Sequence, residues 1–311
     1  MNEVSKIFYL CCRHTIPMKK IILLTTFTLC TWILSAQPTQ EKPKMNYKKA
    51  LNISLTGLGY VGFSYQTSQH FFTSPVISDF HFRQDWPTWR GMDKIFHAYG
   101  SYQLSALFYQ VNRWSGVDSI KALNWALLES TIFSTTKEYC DGRIDVGGFS
   151  WYDIGMNAAG NALFYGQQRW LGKQLLQFKY SYFNSNLQHY NPSVLGTSYK
   201  NYWLKDYNGE TFWLSTSLGN LNITQNKWLK FLGISAGYGG HNLINDFNNG
   251  NVNLPRYSQY YLGLDIDWTQ IETSNKYLKT LFFVLNRFRF PLPCVEFNSL
   301  NQVKFHSFKV N

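Results

Sequence analysis

Met92–Leu104 reads MDKIFHAYGSYQL, Thr135–Arg143 reads TTKEYCDGR, and Gly147–Phe164 reads GGFSWYDIGMNAAGNALF. Asp93 and His97 stand four apart in the first stretch, and Asp153 and Asn157 four apart in the third. Lys137, Glu138 and Asp141 lie between them. Residues four apart on a helix share a face, with Cβ atoms about 5 to 6 Å from each other, so each pair aims two polar groups the same way. The expectation is three apolar helices whose polar ends meet at one place.

Working outward, apolar residues at Ile95, Phe96, Tyr99, Leu104, Leu107, Phe108 and Val111 occupy most of the circumference of the first helix, the pattern of a buried or lipid-facing one. Asp118 is placed to cap a second helix over residues 119–138. Gly142 to Gly148 break it, and Ser150 with Asp153 resembles a capping box opening a third helix that runs to about Trp170. Upstream, Ala50 to Gln66 suits a small-residue helix with Gly57, Gly59 and Gly62, for a bundle of about four apolar helices over 50–172.

Beyond Gly172 the texture changes. LQFKYSYF, TFWLSTSLGNL, FLGISAGYGG, YYLGLDIDW and VKFHSFKV alternate and are separated by turn residues, so 173–311 is expected to be antiparallel and β-rich. Leu262, Leu264, Ile266 and Trp268 fall on one strand face, with Asp265 and Asp267 on the other. About five strands are too few for a closed membrane barrel, and the expectation is a one-sided sheet packed on helices. The fold class is therefore α+β.

The N-terminus has its own logic. Met18-Lys19-Lys20, an apolar run to Leu34 and Ser35-Ala36 have the layout of a secretory signal peptide. The run is short of the roughly 20 residues of a spanning helix. Cleavage after Ala36 is expected, with the true start at Met18 and residues 37–49 as a polar linker. Gln37 stands where a lipoprotein signal carries cysteine, so no lipid anchor is expected. Cys140 and Cys294 remain, able to pair or to stay as thiols.

In the 311-residue chain 18% of residues are aromatic and only 15% charged, against about 25% charged in ordinary soluble domains. Tyr and Trp join an apolar body to a polar tip and suit a bilayer interface. The net charge of +11 is not gathered into a basic run, which argues against nucleic acid as a partner. Membrane lipid or an envelope protein is the expected partner; the oligomeric state is left open.

Asp93 and Asp153 each have an ordinary role at a helix start, where a carboxylate suits the macrodipole. His97, one turn inside an apolar helix, has none except as a core histidine held by a carboxylate. Glu138 and Asp141 bracket a helix C-terminus, where negative charge is disfavoured and calls for a partner; Lys94 and Lys137 are candidates. His97, Glu138, Asp141 and Asp153 form the candidate catalytic cluster, with Asp93, Lys94, Lys137 and Asn157 in support. The same donors suit a divalent cation, although nothing matches a strict metal motif, a nucleophile elbow or a phosphate loop.

The sequence DKxxHxxxxY, then KExxDG, then FSWxDxxxNxxG resembles the YfiM-type family of periplasmic lipoproteins of unknown function, in the extended form of Bacteroidetes-like envelopes, over roughly residues 50–170. A more distant likeness is to VanZ-like membrane proteins. The resemblance singles out Asp93, Lys94, His97, Lys137, Glu138, Asp141, Asp153, Asn157 and Gly160 and implies no reaction. Two functions follow: an exported, membrane-associated envelope protein, periplasmic or at the outer membrane, with a structural or interaction role; or a lipid- or cell-wall-directed hydrolase built on the Asp/His/Glu cluster, with or without a metal.

Overall fold

The computed structural model describes residues 48, 51–52, 56, 78–86 and 88–308. The signal segment, the linker and most of the helix expected from Ala50 to Gln66 lie outside them. The chain forms two compact units, Met1–Gln84 with Leu107–Trp151, and Asp85–Ala106 with Tyr152–Asn311.

Three long helices come first: α1 (Met92–Trp114), α2 (Ser119–Asp141) and α3 (Trp151–Leu171). Asp118 caps α2 as its position suggested, accepting from the backbone N–H of Ile120 and Lys121. None of the described helices is long and apolar enough to cross a membrane. The first unit contains α2 and the second half of α1. There the connector before α1 lies along the α2–α3 turn, with Ser78 N–H donating to Arg143 O, His81 N–H to Gly142 O and Arg83 N–H to Phe149 O. Phe80, Phe82, Phe149 and Trp151 pack ring against ring on it.

The second unit holds the start of α1, nearly all of α3 and the sheet. α1 and α3 run parallel, because the contacts advance together along both. Ser101 Oγ donates to Asn157 Oδ1 at 2.9 Å and Ser105 Oγ to Asn161 Oδ1 at 2.9 Å. A Cβ added at Gly160 would stand 2.0 Å from the carbonyl oxygen of Ala98, so the two backbones touch there and only glycine fits. This parallel pairing brings two helix N-termini to one end.

The sheet has six antiparallel strands in sequence order: β1 (Gln177–Tyr182), β2 (Glu210–Ser217), β3 (Leu232–His241), β4 (Tyr257–Ile266), β5 (Cys294–Asn298) and β6 (Val303–His306). Two corrections to the sequence reading follow. β5 was not expected, since CVEFN alternates over only five residues. The β-rich half also holds helices: α4 (Pro192–Leu195), α5 (Tyr199–Lys205) and α6 (Lys276–Leu285). α6 is capped by Asn275, whose side chain accepts from Tyr277 and Leu278 N–H.

The faces of the sheet are a third correction. Phe178, Tyr180 and Phe212 do pack against Phe96 and Tyr99 of α1. On the same face farther along, however, Leu262 is 60% exposed and Leu264 54%. The opposite, polar face is the buried one. There Lys179 pairs with Asp265 at 2.8 Å, both side chains fully buried. Asp267 accepts from Gln177, Ser217 and Asn220. The Arg289 guanidinium lies over the Trp213 ring at 3.9 Å and donates to the carbonyls of Leu264 and Leu292. The sheet closes over this polar interior as Tyr180 N–H donates to Arg287 O and Arg289 N–H to Tyr180 O along the outer edge of β1. Each of these buried ions has a counter-ion or several hydrogen-bond partners, without which its desolvation would be prohibitive. Cys140 and Cys294 are not joined to each other, and Cys294 is buried.

Candidate functional site

The approach to the site is a left-handed turn. Trp89, Arg90 and Gly91 have φ of 52°, 51° and 79°, and the two non-glycine residues cost on the order of 1 to 3 kcal/mol each. They are held from outside: Trp89 N–H donates to Asp246 O, Arg90 donates to Arg256 O, and the Tyr238 hydroxyl donates to Arg90 O. α1 begins immediately afterwards, so Asp93 and Lys94 occupy its first turn.

Lys94 is the centre of the cluster. Its side chain is 2% exposed, and its ammonium lies 2.6 Å from Asp85, 2.7 Å from Asp93 and 2.5 Å from Asp153. Burial alone would lower its pKa; the charges of Asp93 and Asp153 and the hydrogen bonds to Asp153 and Asp85 outweigh burial and hold it above the ordinary lysine value. Asp93 and Asp153 also sit in the first turns of α1 and α3, where the two helix dipoles favour negative charge.

His97, one turn along α1, puts Nε2 3.6 Å from Asp153 and 3.8 Å from Asp93. Its Nδ1 lies 3.3 Å from Asn157 Oδ1, an oxygen that can only accept. With the Asn157 amide so oriented, Nδ1 is the donor and Nε2 is left toward two carboxylates. Nε2 then either carries a second proton, making an imidazolium, or offers a lone pair beside two carboxylate oxygens. Ligand atoms of Asp93, His97 and Asp153 all lie within 4.8 Å of one another, a mixed O/O/N donor set that suits a borderline divalent ion.

The structure thus brings together Asp93, Lys94, His97, Asp153 and Asn157. Lys137, Glu138 and Asp141 belong to the other compact unit, where Lys137 pairs with Asp141 at 2.6 Å and with Glu138 at 3.2 Å at the end of α2. That pairing offsets their unfavourable position at a helix C-terminus.

Residues that sequence reasoning missed complete the site. Asp85 supplies the third carboxylate, and the Tyr207 hydroxyl donates to Asp93 Oδ1 at 2.9 Å. Ser101, four residues past His97, was legible as the next step on the same helix face. Tyr207 and Glu210 lie in YNGE at the start of β2, and no local pattern links them to α1.

Glu210 is 1% exposed, and neither carboxylate oxygen has a hydrogen-bond partner among the described residues. Burial, then the charges of Asp206 and Asp93, push its pKa well above the ordinary carboxylate value, so it is held as the neutral acid. The folded chain therefore keeps a proton that the unfolded chain releases once pH passes the ordinary carboxylate range. This contribution to stability is full below that range and is lost as pH rises toward the raised value. Replacing Glu210→Gln should flatten that decline, so that the variant gains on the parent in urea midpoints measured from pH 4 to pH 8. Parallel profiles would contradict the neutral-acid assignment.

Residues 82–167 match the model of the family described as Predicted periplasmic lipoprotein (DUF2279). No curated protein and no solved structure matches the chain. The matched stretch contains Asp85, Asp93, Lys94, His97, Asp153 and Asn157, and its description agrees with an exported, periplasmic protein of unknown molecular function.

Proposed function

We propose that this is an exported, membrane-associated protein of the cell envelope, of the extended YfiM type, with a structural or interaction role, and that the charge cluster braces its fold. The carrying observation is the position of Lys94. Its buried ammonium already bonds three carboxylates at 2.5 to 2.7 Å, which uses the acids as mutual anchors for α1, α3 and the segment that precedes α1. His97 and Asn157 extend the brace along the α1–α3 seam, and Tyr207 ties it to the start of β2.

A metal-assisted, lipid- or cell-wall-directed hydrolase is the second reading, favoured by the spacing of Asp93, His97 and Asp153. In that reading these three residues hold the cation, which would activate a water, while Lys94 orients the carboxylates. His97→Gln separates the two. A brace loses about 1 to 3 kcal/mol of stability, the cost of stranding one buried polar partner, and captures its envelope partner in proportion to folded protein. A catalytic site loses hydrolysis of ester or peptidoglycan substrates while the unfolding midpoint stays put. Metal analysis of the purified chain adds a second readout: stoichiometric zinc or manganese lost in the variant would sink the brace.

A further inference from the structure

We propose that the exposed face of the sheet is a bilayer-contact surface, seated in one leaflet of a membrane. This inference stands apart from the role of the charge cluster and uses none of its residues. The sheet is polar inside and apolar outside. Its buried face carries the Lys179–Asp265 pair, the Asp267 hub and Arg289, whereas Ile234, Leu262, Leu264, Phe297, Val303 and Phe305 are exposed on the other, between 43% and 71%. Register makes these one continuous patch, since Ile234 faces Leu264, Phe297 pairs with both Tyr260 and Val303, and Phe305 pairs with Val295 beside Leu262. Alternation with polar residues inward and apolar residues outward is the pattern of a strand wall in lipid.

The occupant is argued from what borders the patch. At the end of the sheet where β3 begins and β4 finishes, the β2–β3 connection exposes Ile223 and Trp228 with Lys227. At that same end α6 exposes Tyr277, Leu278, Leu281 and Val284 alongside Lys276 and Lys279. An aromatic and basic border, with an amphipathic helix beside it, is suited to the headgroup layer of an anionic membrane; a protein partner would need no such border. Strand length sets the depth. β3 and β4 have 10 residues each, but β5 has five and β6 four, short of the roughly 9 to 11 that a spanning strand needs. The face therefore lies in a leaflet and does not cross the bilayer.

The test is flotation of the full purified chain with vesicles of phosphatidylethanolamine and phosphatidylglycerol, in salt high enough to screen surface charge. The parent should float, and the double variant Leu262→Glu/Leu264→Glu should leave at least tenfold more protein at the bottom of the gradient. Leu128→Glu, at an exposed position of α2, should float like the parent. A nitroxide attached through Leu262→Cys, with each of the five native cysteines replaced by serine, gives a readout that does not depend on the acidic variants. On addition of vesicles it should become accessible to oxygen and shielded from an aqueous nickel chelate. A double variant that floats as well as the parent, or a label that stays in water, overturns the proposal. So does a parent that ignores vesicles and sediments as a dimer, which would make a second copy the occupant.

Discussion

Replacing Lys94→Met should lower the unfolding free energy by about 3 to 5 kcal/mol, the range for breaking a buried ion pair by removing one partner. The methionine fills nearly the same volume, so the loss is electrostatic. Asp85, Asp93 and Asp153 would face one another without the ammonium that lies within 2.7 Å of each. Urea unfolding followed by circular dichroism measures it. Acidification, which neutralises carboxylates, should narrow the gap between variant and parent, whereas a packing defect would persist at every pH. A loss under 1 kcal/mol would mean that the three carboxylates are balanced by something other than Lys94.

The second large effect is expected at Gly160, where the obstruction is main chain. Alanine there would gain as much as about 1 kcal/mol from helix propensity. Its Cβ would meet Ala98 O at 2.0 Å and Ala98 C at 2.8 Å, and a backbone carbonyl cannot rotate away as a side chain does. α3 must then shift off α1, loosening the Ser101–Asn157 and Ser105–Asn161 bonds. Overpacking costs typically about 1 to 3 kcal/mol; with the cost at its upper end and the propensity gain set against it, Gly160→Ala should be destabilising by about 2 kcal/mol net. An unchanged or raised melting temperature would show that the helices are not in backbone contact.

What was legible in the sequence follows from the range of the forces that fix it. The helices α1, α2 and α3 announce themselves through local periodicity and a cap, and His97 with Asp153 through their positions one turn inside, or at the start of, apolar segments. The sheet was legible as alternation: Leu262 and Leu264 were placed opposite Asp265 and Asp267, as observed. Which of those faces is covered was not legible, because alternation has no sign. Closure along the β1 edge by Arg287 and Arg289 decides it, more than a hundred residues away. The same distance hid Tyr207 and Glu210, which reach the site through the strand order. α6 was missed because KYLKTLFFVL stands between strand-like stretches and its start is marked only by the Asn275 cap.

The left-handed turn at Trp89–Gly91 also fixes an order of events. Its tethers, Tyr238, Asp246 and Arg256, and the Tyr207 hydroxyl on Asp93 are all delivered by the chain long after α1. A polypeptide emerging N-terminus first can coil α1 at once, but it has nothing to hold that strained entry until about residue 256 has arrived. The segment that carries Asp85, Asp93, Lys94 and His97 is therefore fixed only after β3 has been made, and a fragment that stops near residue 167 would hold Lys94 and His97 without the struts that set their bearing.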